Sequence, residues 1–189
     1  MTPLSLGIFA SANQSAAATS YESIATVTVG SGGSSSISFT SIPATYSHLQ
    51  LRFMARSSRN QNSGYGVISY NSDTSTNYSY HSLYGQGSAV SADGAATVNY
   101  QTLIYLPGAL RTASVFGVAV VDILDYANTN KYKTLRVLDG YDSNGAGELA
   151  FQSGNWSNTN AITSITITEY NGNNFEQYSH FALYGIKGA

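Results

Sequence analysis

The feature that most constrains the fold of this chain is an alternation of apolar and polar residues with a period of two. The stretch HLQLRFMAR alternates apolar Leu49, Leu51, Phe53 and Ala55 with Gln50, Arg52, Met54 and Arg56. Successive side chains of a β-strand point to opposite faces, so the pattern predicts a half-buried strand with Arg56 on its polar face. No segment carries an apolar stripe of helical period for more than two turns. We therefore expect an all-β fold.

Other strand-like segments are separated by turns rich in Gly, Asn and Ser. The segments ATVTV and SISF are expected to form a hairpin around the loop at 30–36, and KYKTLRVL a second hairpin with Val115–Leu124. The run Val115–Leu124 is apolar at both alternating sets of positions, which predicts a central strand covered on both faces. Further strands are expected near 65–70, 78–85, 96–106, 147–156 and 178–187, the last of them completing a sheet. Ten or eleven strands in all predict a two-sheet sandwich, for which a jelly roll is the preferred architecture.

The first 19 residues differ from the rest of the chain. They carry no charge, contain Leu4, Leu6, Ile8 and Phe9, and pass into a stretch rich in Ala and Ser. Burying those four side chains would contribute roughly 6–12 kcal/mol, which is close to the cost of ordering about ten residues. We therefore expect an N-terminal arm at 1–19 that orders only against a surface, either as an edge strand of its own sheet or on a neighbouring subunit. Residues 20–189 are expected to form a single domain.

Composition excludes several functional classes. Charged residues make up 10% of the chain, the net charge is −2 and no basic cluster occurs, so we expect no binding to nucleic acid. The chain has no Cys, which excludes disulfides and thiolate metal sites. No apolar run approaches the ~20 residues that span a bilayer, so we expect no membrane span. The start of the chain lacks the positively charged segment of a secretory signal, so we expect no such signal. A weakly charged surface rich in hydroxyl groups instead favours self-association into a homo-oligomer.

Candidate catalytic groups are sparse. Asp122 and Asp125 are three residues apart and would point to opposite faces of a strand, and Asp139 and Asp142 lie in the turn-like segment LDGYDSNG. The first pair is expected to meet Lys131, Lys133 or Arg136 across a hairpin rather than to act as a glycosidase pair. We therefore expect no catalytic residues, no cofactor and no enzymatic activity.

Two sets of residues have the side-chain types of metal ligands. His48, His81 and His180 lie in separate segments without an adjacent ligand pair, and they are expected to be ordinary strand or loop residues. The stretch NSDTSTN carries side-chain oxygens at every second position, as calcium loops do. It lacks the central Gly and the bidentate Glu of such loops, so we expect a polar loop without a bound metal.

Tyrosine is the strongest local signal. The segment GYGVISYNSDTSTNYSYHSLYG contains Tyr65, Tyr70, Tyr78, Tyr80 and Tyr84 around a polar loop. Tyrosine has a high β-propensity and fills strand faces, it is favoured at protein interfaces, and it stacks on sugars. A structural role, a protein interface and a carbohydrate contact therefore all remain open.

Three motifs, in order, resemble those of a widespread group of tailed-bacteriophage virion structural proteins. They are IATVTVGSGGSSSISFTSIPATYSHLQLR, VVDILDYANTNKYKTLR and the C-terminal FALYGIKGA. The resemblance covers nearly the whole chain from about residue 20. It implies a jelly-roll structural protein that decorates or cements a capsid or belongs to a tail, and it carries over no catalytic residues.

These observations lead to a ranked set of functional hypotheses. The first is a capsid decoration or cement protein located in the virion, a homo-oligomer expected to be a trimer, which binds the major capsid protein or other virion proteins. Its interface would comprise the apolar arm residues and the tyrosines: Leu4, Leu6, Ile8, Phe9, Tyr65, Tyr70, Tyr78, Tyr80 and Tyr84. The alternative is a tail-fibre or baseplate protein that binds host surface glycans, and the third is a polysaccharide-cleaving enzyme.

Overall fold

The computed structural model describes residues 20–188, which form two antiparallel β-sheets and no helix. The prediction of an all-β, two-sheet sandwich is confirmed. None of the described segments is a helix able to cross a membrane. The strands are β1 Tyr21–Thr28, β2 Ser36–Phe39, β3 His48–Ala55, β4 Ser63–Tyr70, β5 Tyr78–Gln86, β6 Ala89–Val98, β7 Leu103–Pro107, β8 Gly117–Leu124, β9 Lys133–Ser143, β10 Ala146–Trp156, β11 Ile165–Glu169 and β12 His180–Ile186.

The two sheets differ in size. The large sheet has the strand order β1-β12-β3-β8-β9-β10-β5-β6, and the small sheet has the order β2-β11-β4-β7. The facing sides of the two sheets enclose one apolar core, built from alternating residues of both, as expected for a jelly-roll-like sandwich. The side of the large sheet that points away from the small sheet is called the outer face below.

The C-terminal strand closes the large sheet. Strand β12 lies between β1 and β3 and pairs with both along its whole length. Phe181 and Leu183 are fully buried in the core. The expectation that the chain's last strand completes a sheet is confirmed.

Strand β3 follows the predicted alternation, with one exception. Leu49, Leu51, Phe53 and Ala55 are buried in the core, and Met54 is exposed on the outer face. Arg56 was predicted on the polar face, but it lies just beyond the end of β3 and is only 4% exposed. Its guanidinium is enclosed by the loop between β7 and β8, whose carbonyls satisfy its N–H groups.

The prediction that Val115–Leu124 is covered on both faces is wrong. Strand β8 is central in the large sheet, between β3 and β9, and its Val121 and Ile123 are buried. Val118 and Leu124, however, are 54% and 48% exposed on the outer face. An apolar run shows only that both faces of a strand carry apolar side chains. In β8, one of these faces is covered by the small sheet and the other is exposed.

The predicted hairpin of ATVTV and SISF is also not formed. Strand β1 pairs with β12 in the large sheet, whereas β2 pairs with β11 in the small sheet. The Gly-rich loop between them crosses from one sheet to the other, and Ser34 is bridged to Phe175 on the way. Likewise, the region expected to be one strand at 96–106 contains the end of β6 and the start of β7, which belong to different sheets. The hairpin predicted for KYKTLRVL is present as β8–β9.

Residues 1–19, including Leu4, Leu6, Ile8 and Phe9, lie outside the described residues. The prediction of an N-terminal arm therefore stays a prediction.

Candidate interaction surface

The outer face of the large sheet carries an unusual set of exposed apolar side chains, called the apolar face below. Antiparallel sheets that meet water usually alternate apolar residues inside with polar residues outside. Here seven outward positions on five neighbouring strands are apolar and mostly about half exposed or more. The members are Met54 on β3, Val118 and Val120 on β8, Leu138 on β9, Leu149 and Phe151 on β10, and Leu83 on β5.

The apolar face is organised in rows that run across the strands. Val120 lies directly opposite Leu138, Leu138 opposite Phe151, and Phe151 opposite Leu83. Directly opposite residues of an antiparallel pair have Cβ atoms about 4.5–5.5 Å apart. The side chains of this row therefore form one continuous apolar strip across four strands.

A second row of outward positions has glycine, and therefore no side chain, at two places. Leu149 lies between Gly140 of β9 and Gly85 of β5, and Gly140 lies opposite Val118. The missing side chains leave a groove of about 630 Å³, lined mainly by apolar atoms. A Cβ at Gly140 would lie 2.3 Å from the carbonyl oxygen of Glu148, so the backbone contact itself requires glycine there.

Charged and polar side chains border the apolar face on one side. Asp122 accepts a hydrogen bond of 2.6 Å from the Gln50 amide, and it lies opposite Arg136 in the β8–β9 ladder. The Arg136 guanidinium lies 5.8 Å from the ring centroid of Phe151. The surface thus combines an apolar centre with a mixed polar margin, as protein interfaces do.

The structure buries three of the five candidate tyrosines and leaves two partly exposed. Tyr70, Tyr78 and Tyr80 are at most 5% exposed. The rings of Tyr70 and Tyr78 pack against Trp156, with centroids 5.4 and 6.1 Å away. These three side chains have the structural role and are not available to a partner, because alternation places Tyr78 and Tyr80 together on the inner face of β5.

Tyr65 and Tyr84 are partly exposed and meet at the edge of the small sheet. Both rings lie 5.5 Å from the ring of Tyr105 on β7. The Arg59 guanidinium lies 5.5 Å from the centroid of Tyr65. Of the predicted tyrosine interface, only this half-buried cluster remains accessible, and its use as an interface stays a prediction.

The candidate carboxylates do not form a catalytic pair. Asp125 forms an ion pair with Lys131, as expected across the β8–β9 hairpin. Asp142 accepts a hydrogen bond from the backbone N–H of Gly145 and stabilises the β9–β10 turn. Asp139 is buried and accepts hydrogen bonds from the Tyr105 backbone N–H at 2.7 Å and the Gln152 amide at 2.6 Å. Asp139 is thus buried and Asp142 is exposed, and each has a structural role.

The other candidate ligands also have structural partners. In the part of the chain that the structure describes, no group of three or more His, Asp or Glu side chains is placed to hold a metal ion. In the NSDTSTN loop, Asp73 accepts hydrogen bonds from the Ser75 backbone, the Asn77 amide and the Trp156 indole N–H. Burial alone would raise the pKa of Asp73, but these hydrogen bonds outweigh it and hold the pKa well below its usual value.

Because Asp139 is buried, we expect the folded chain to be more stable at acidic pH than at neutral pH. Burial raises the pKa of Asp139 to about 7, despite the hydrogen bonds from Gln152 and Tyr105 that lower it. Between about pH 4 and 7 the folded chain keeps a proton that the unfolded chain has lost, so the free energy of unfolding decreases as the pH rises. We expect a loss of about 2–3 kcal/mol between pH 5 and pH 8, measured by urea denaturation.

The matched control for this prediction is the exposed Asp142. Asp139→Asn should flatten the stability profile between pH 5 and 8, because no carboxyl titrates at that position. Asp142→Asn should keep the wild-type slope. An Asp139→Asn profile as steep as that of the wild type would show that another group causes it.

Sequence reasoning missed the apolar face as a site. The signal was present in Val115–Leu124, where apolar residues occupy both alternating sets, but it was interpreted as burial under a second layer. Leu83, Leu138, and the pair Leu149 and Phe151 lie in three separate segments of the sequence. Only the strand register brings them together.

Comparisons with known proteins add little. No family model matches the chain, and no curated protein matches it. The crystal structure of the galectin LEC-6 from Caenorhabditis elegans is similar at 9% sequence identity with a TM-score of 0.34, over 86% of this chain and 96% of that chain. A likeness at this level bears no argument about function, and the fold described above rests on the two sheets themselves.

Proposed function

We propose that the protein is a structural component of a bacteriophage virion, a capsid decoration or cement protein that binds through the apolar face. The observation that supports this most is the continuous row of Val120, Leu138, Phe151 and Leu83 across four strands. Contiguous exposed apolar surface of this kind marks interaction sites on soluble proteins. The resemblance of the three sequence motifs to virion proteins supplies the class of partner.

The proposed mechanism is contact rather than chemistry. Burying apolar surface contributes roughly 25 cal/mol per Å² before the costs of association. A protein that binds the assembled shell but not its dissociated parts stabilises the shell by mass action. The chain would act in this way as a homo-oligomer on the shell, with a trimer expected, and with the major capsid protein or another virion protein as its partner.

A particle-binding experiment tests the proposal. The purified chain is mixed with particles that lack it, from the phage that encodes it, and the pellet is assayed after sedimentation. Leu138→Lys and Phe151→Lys should each weaken binding by about tenfold or more, because a charge would be buried in an apolar contact. Neither variant should change the melting temperature much, since both side chains are about half exposed in the isolated chain.

The control variant is Ser38→Lys, at an exposed position on the small sheet. It adds the same charge to the opposite side of the sandwich and should bind like the wild type. The proposal fails if mass spectrometry of purified particles does not detect the chain, or if all three variants bind equally well.

A second candidate function is glycan binding as a tail-fibre or baseplate protein, favoured by the cluster of Tyr65, Tyr84 and Tyr105. Partly exposed rings of this kind offer stacking surfaces for sugars. A glycan array on which binding is lost in Tyr84→Ala would favour this alternative. Substitutions of Tyr78 or Tyr80 would not discriminate, because both are buried in the core and their loss would disturb the fold.

A further inference from the structure

Strand β6 forms an exposed edge of the large sheet. It is paired on one side with β5, and no strand among residues 20–188 lies on its other side. Residues Ala89–Gly94 are exposed on both faces of the strand, because the large sheet extends beyond the small one here. In the described part of the chain, β6 is therefore exposed on both of its faces and along its unpaired edge.

The other three sheet edges of the described chain are protected. Strand β1 carries a register irregularity at Ser23–Ala25, and an ion pair of Glu22 with Lys187 crosses from it to the chain end after β12. Strand β2 has four residues, and β7 has five and ends in Pro107. Bulges, charges, short length and proline are the devices by which natural proteins prevent pairing at sheet edges.

Strand β6 lacks most of these devices. It has ten residues, AVSADGAATV, with no proline, no lysine or arginine, and one carboxylate. Its register with β5 is regular from Ala89 to Ala96 and is interrupted only near its end, at Thr97. Such an edge is a template for another strand.

The hydrogen-bonding pattern between β5 and β6 shows which backbone N–H and C=O groups of β6 point to the free edge. A two-residue turn joins Gln86 to Ala89, so those residues exchange backbone hydrogen bonds and every second residue of β6 after Ala89 bonds to β5. The N–H and C=O groups of the intervening residues therefore point to the free edge; these residues are Val90, Ala92, Gly94 and Ala96. In agreement, the Gly94 N–H is bonded by the Asp93 carboxylate at 2.8 Å instead of by β5.

We propose that the free edge of β6 pairs antiparallel with β6 of a second copy of this chain. The partner strand must itself offer an unprotected edge, and in the described chain β6 is the edge that does so. An antiparallel pair of identical strands is related by a two-fold axis and closes on itself. The small side chains of β6 let a second strand approach at the normal spacing of about 4.8 Å, and both large sheets would join into one.

This inference concerns a different surface from the proposed function and does not depend on it. A two-fold pair through β6 also differs from the trimer expected from the sequence. Failure of β6 pairing would leave particle binding through the apolar face intact, and the two outcomes are measured in separate experiments.

Sedimentation equilibrium and amide exchange test the pairing. The wild-type chain of 20.0 kDa should show a concentration-dependent doubling of mass. The backbone amides of Val90, Ala92 and Ala96 should exchange slowly in the dimer and quickly on dilution. The amides of Ser91 and Ala95, which bond to β5, should stay protected in both states.

Ala92→Pro removes one edge N–H without removing a bond to β5 and should weaken dimerisation at least about tenfold. Ala92→Ser keeps the N–H and should dimerise like the wild type. If Ala92→Pro disturbs the hairpin, seen as lost protection of Ser91, the wild-type exchange data decide alone. A wild-type chain that stays monomeric, rapid exchange at Val90 and Ala92 in an oligomer, or equal new protection along β1, which would indicate β6–β1 pairing, overturns the proposal.

Discussion

Replacing Arg56 with alanine is expected to remove about 3–5 kcal/mol from the free energy of unfolding, a large share of the roughly 5–15 kcal/mol that stabilises a typical domain. The Arg56 guanidinium donates to four backbone carbonyls at 3.0–3.3 Å and forms an ion pair of 3.1 Å with Glu176. The four acceptors belong to the loop between β7 and β8: Ala109, Arg111, Thr112 and Val115. Truncation would leave these carbonyls without their donor in a nearly buried site, whereas the Glu176 carboxylate, with its side chain 35% exposed, can still be solvated.

Two further variants separate geometry from charge. Arg56→Lys keeps the charge but not the planar fork, so it should recover only part of the lost stability. Arg52→Ala removes an exposed arginine four residues earlier, whose guanidinium lies over the rings of Tyr21 and Tyr184, and should cost about 1 kcal/mol or less. Urea denaturation followed by circular dichroism measures all three. A midpoint for Arg56→Ala equal to that of Arg52→Ala would show that the network contributes little.

The inward faces of the strands were predictable from the sequence. In β3 and β11 the alternation assigns Leu49, Leu51, Ile165 and Ile167 to the core, where all four are buried. Alternation works in these strands because one face of each is covered and the other is not. The expected all-β sandwich follows from many such segments without a helical stripe.

Pairing partners were not predictable from local pattern. The Gly-rich loop after β1 has the composition of a hairpin turn, yet it carries the chain to the other sheet. Turn residues report that the backbone can reverse, whereas the choice of sheet depends on contacts between residues distant in sequence. The bridge between Ser34 and Phe175 is such a contact.

Buried charge was likewise invisible in the sequence. Arg56 and Asp139 are each at most 4% exposed, although charged residues are rarely found inside. Each is satisfied by groups that the fold brings from distant segments, Arg56 by the β7–β8 loop and Asp139 by Tyr105 and Gln152. The apolar face escaped prediction for the same reason, since its members are neighbours only through strand register.

Replacing Phe181 with alanine is expected to cost about 3–5 kcal/mol. Phe181 is fully buried on β12, and its ring lies 5.0 Å from that of Phe53 and 5.1 Å from that of Phe175. Strand β12 joins β1 to the rest of the large sheet, so a cavity at this position weakens the contact of two strands with the core. Thermal and urea unfolding measure the loss.

Phe151→Ala is the matched control, because it deletes the same side chain from the same sheet on the opposite face. Phe151 is 50% exposed, so its loss should change stability by only about 0.5 kcal/mol. If the apolar face binds a partner, the two variants should show opposite defects: Phe181→Ala loses folding, and Phe151→Ala folds normally but binds particles weakly. Equal destabilisation by both would mean that the apolar face supports the isolated fold rather than an interface. A Phe151→Ala chain with normal stability and normal particle binding would remove the apolar face from the proposed function while leaving the role of β12 unchanged.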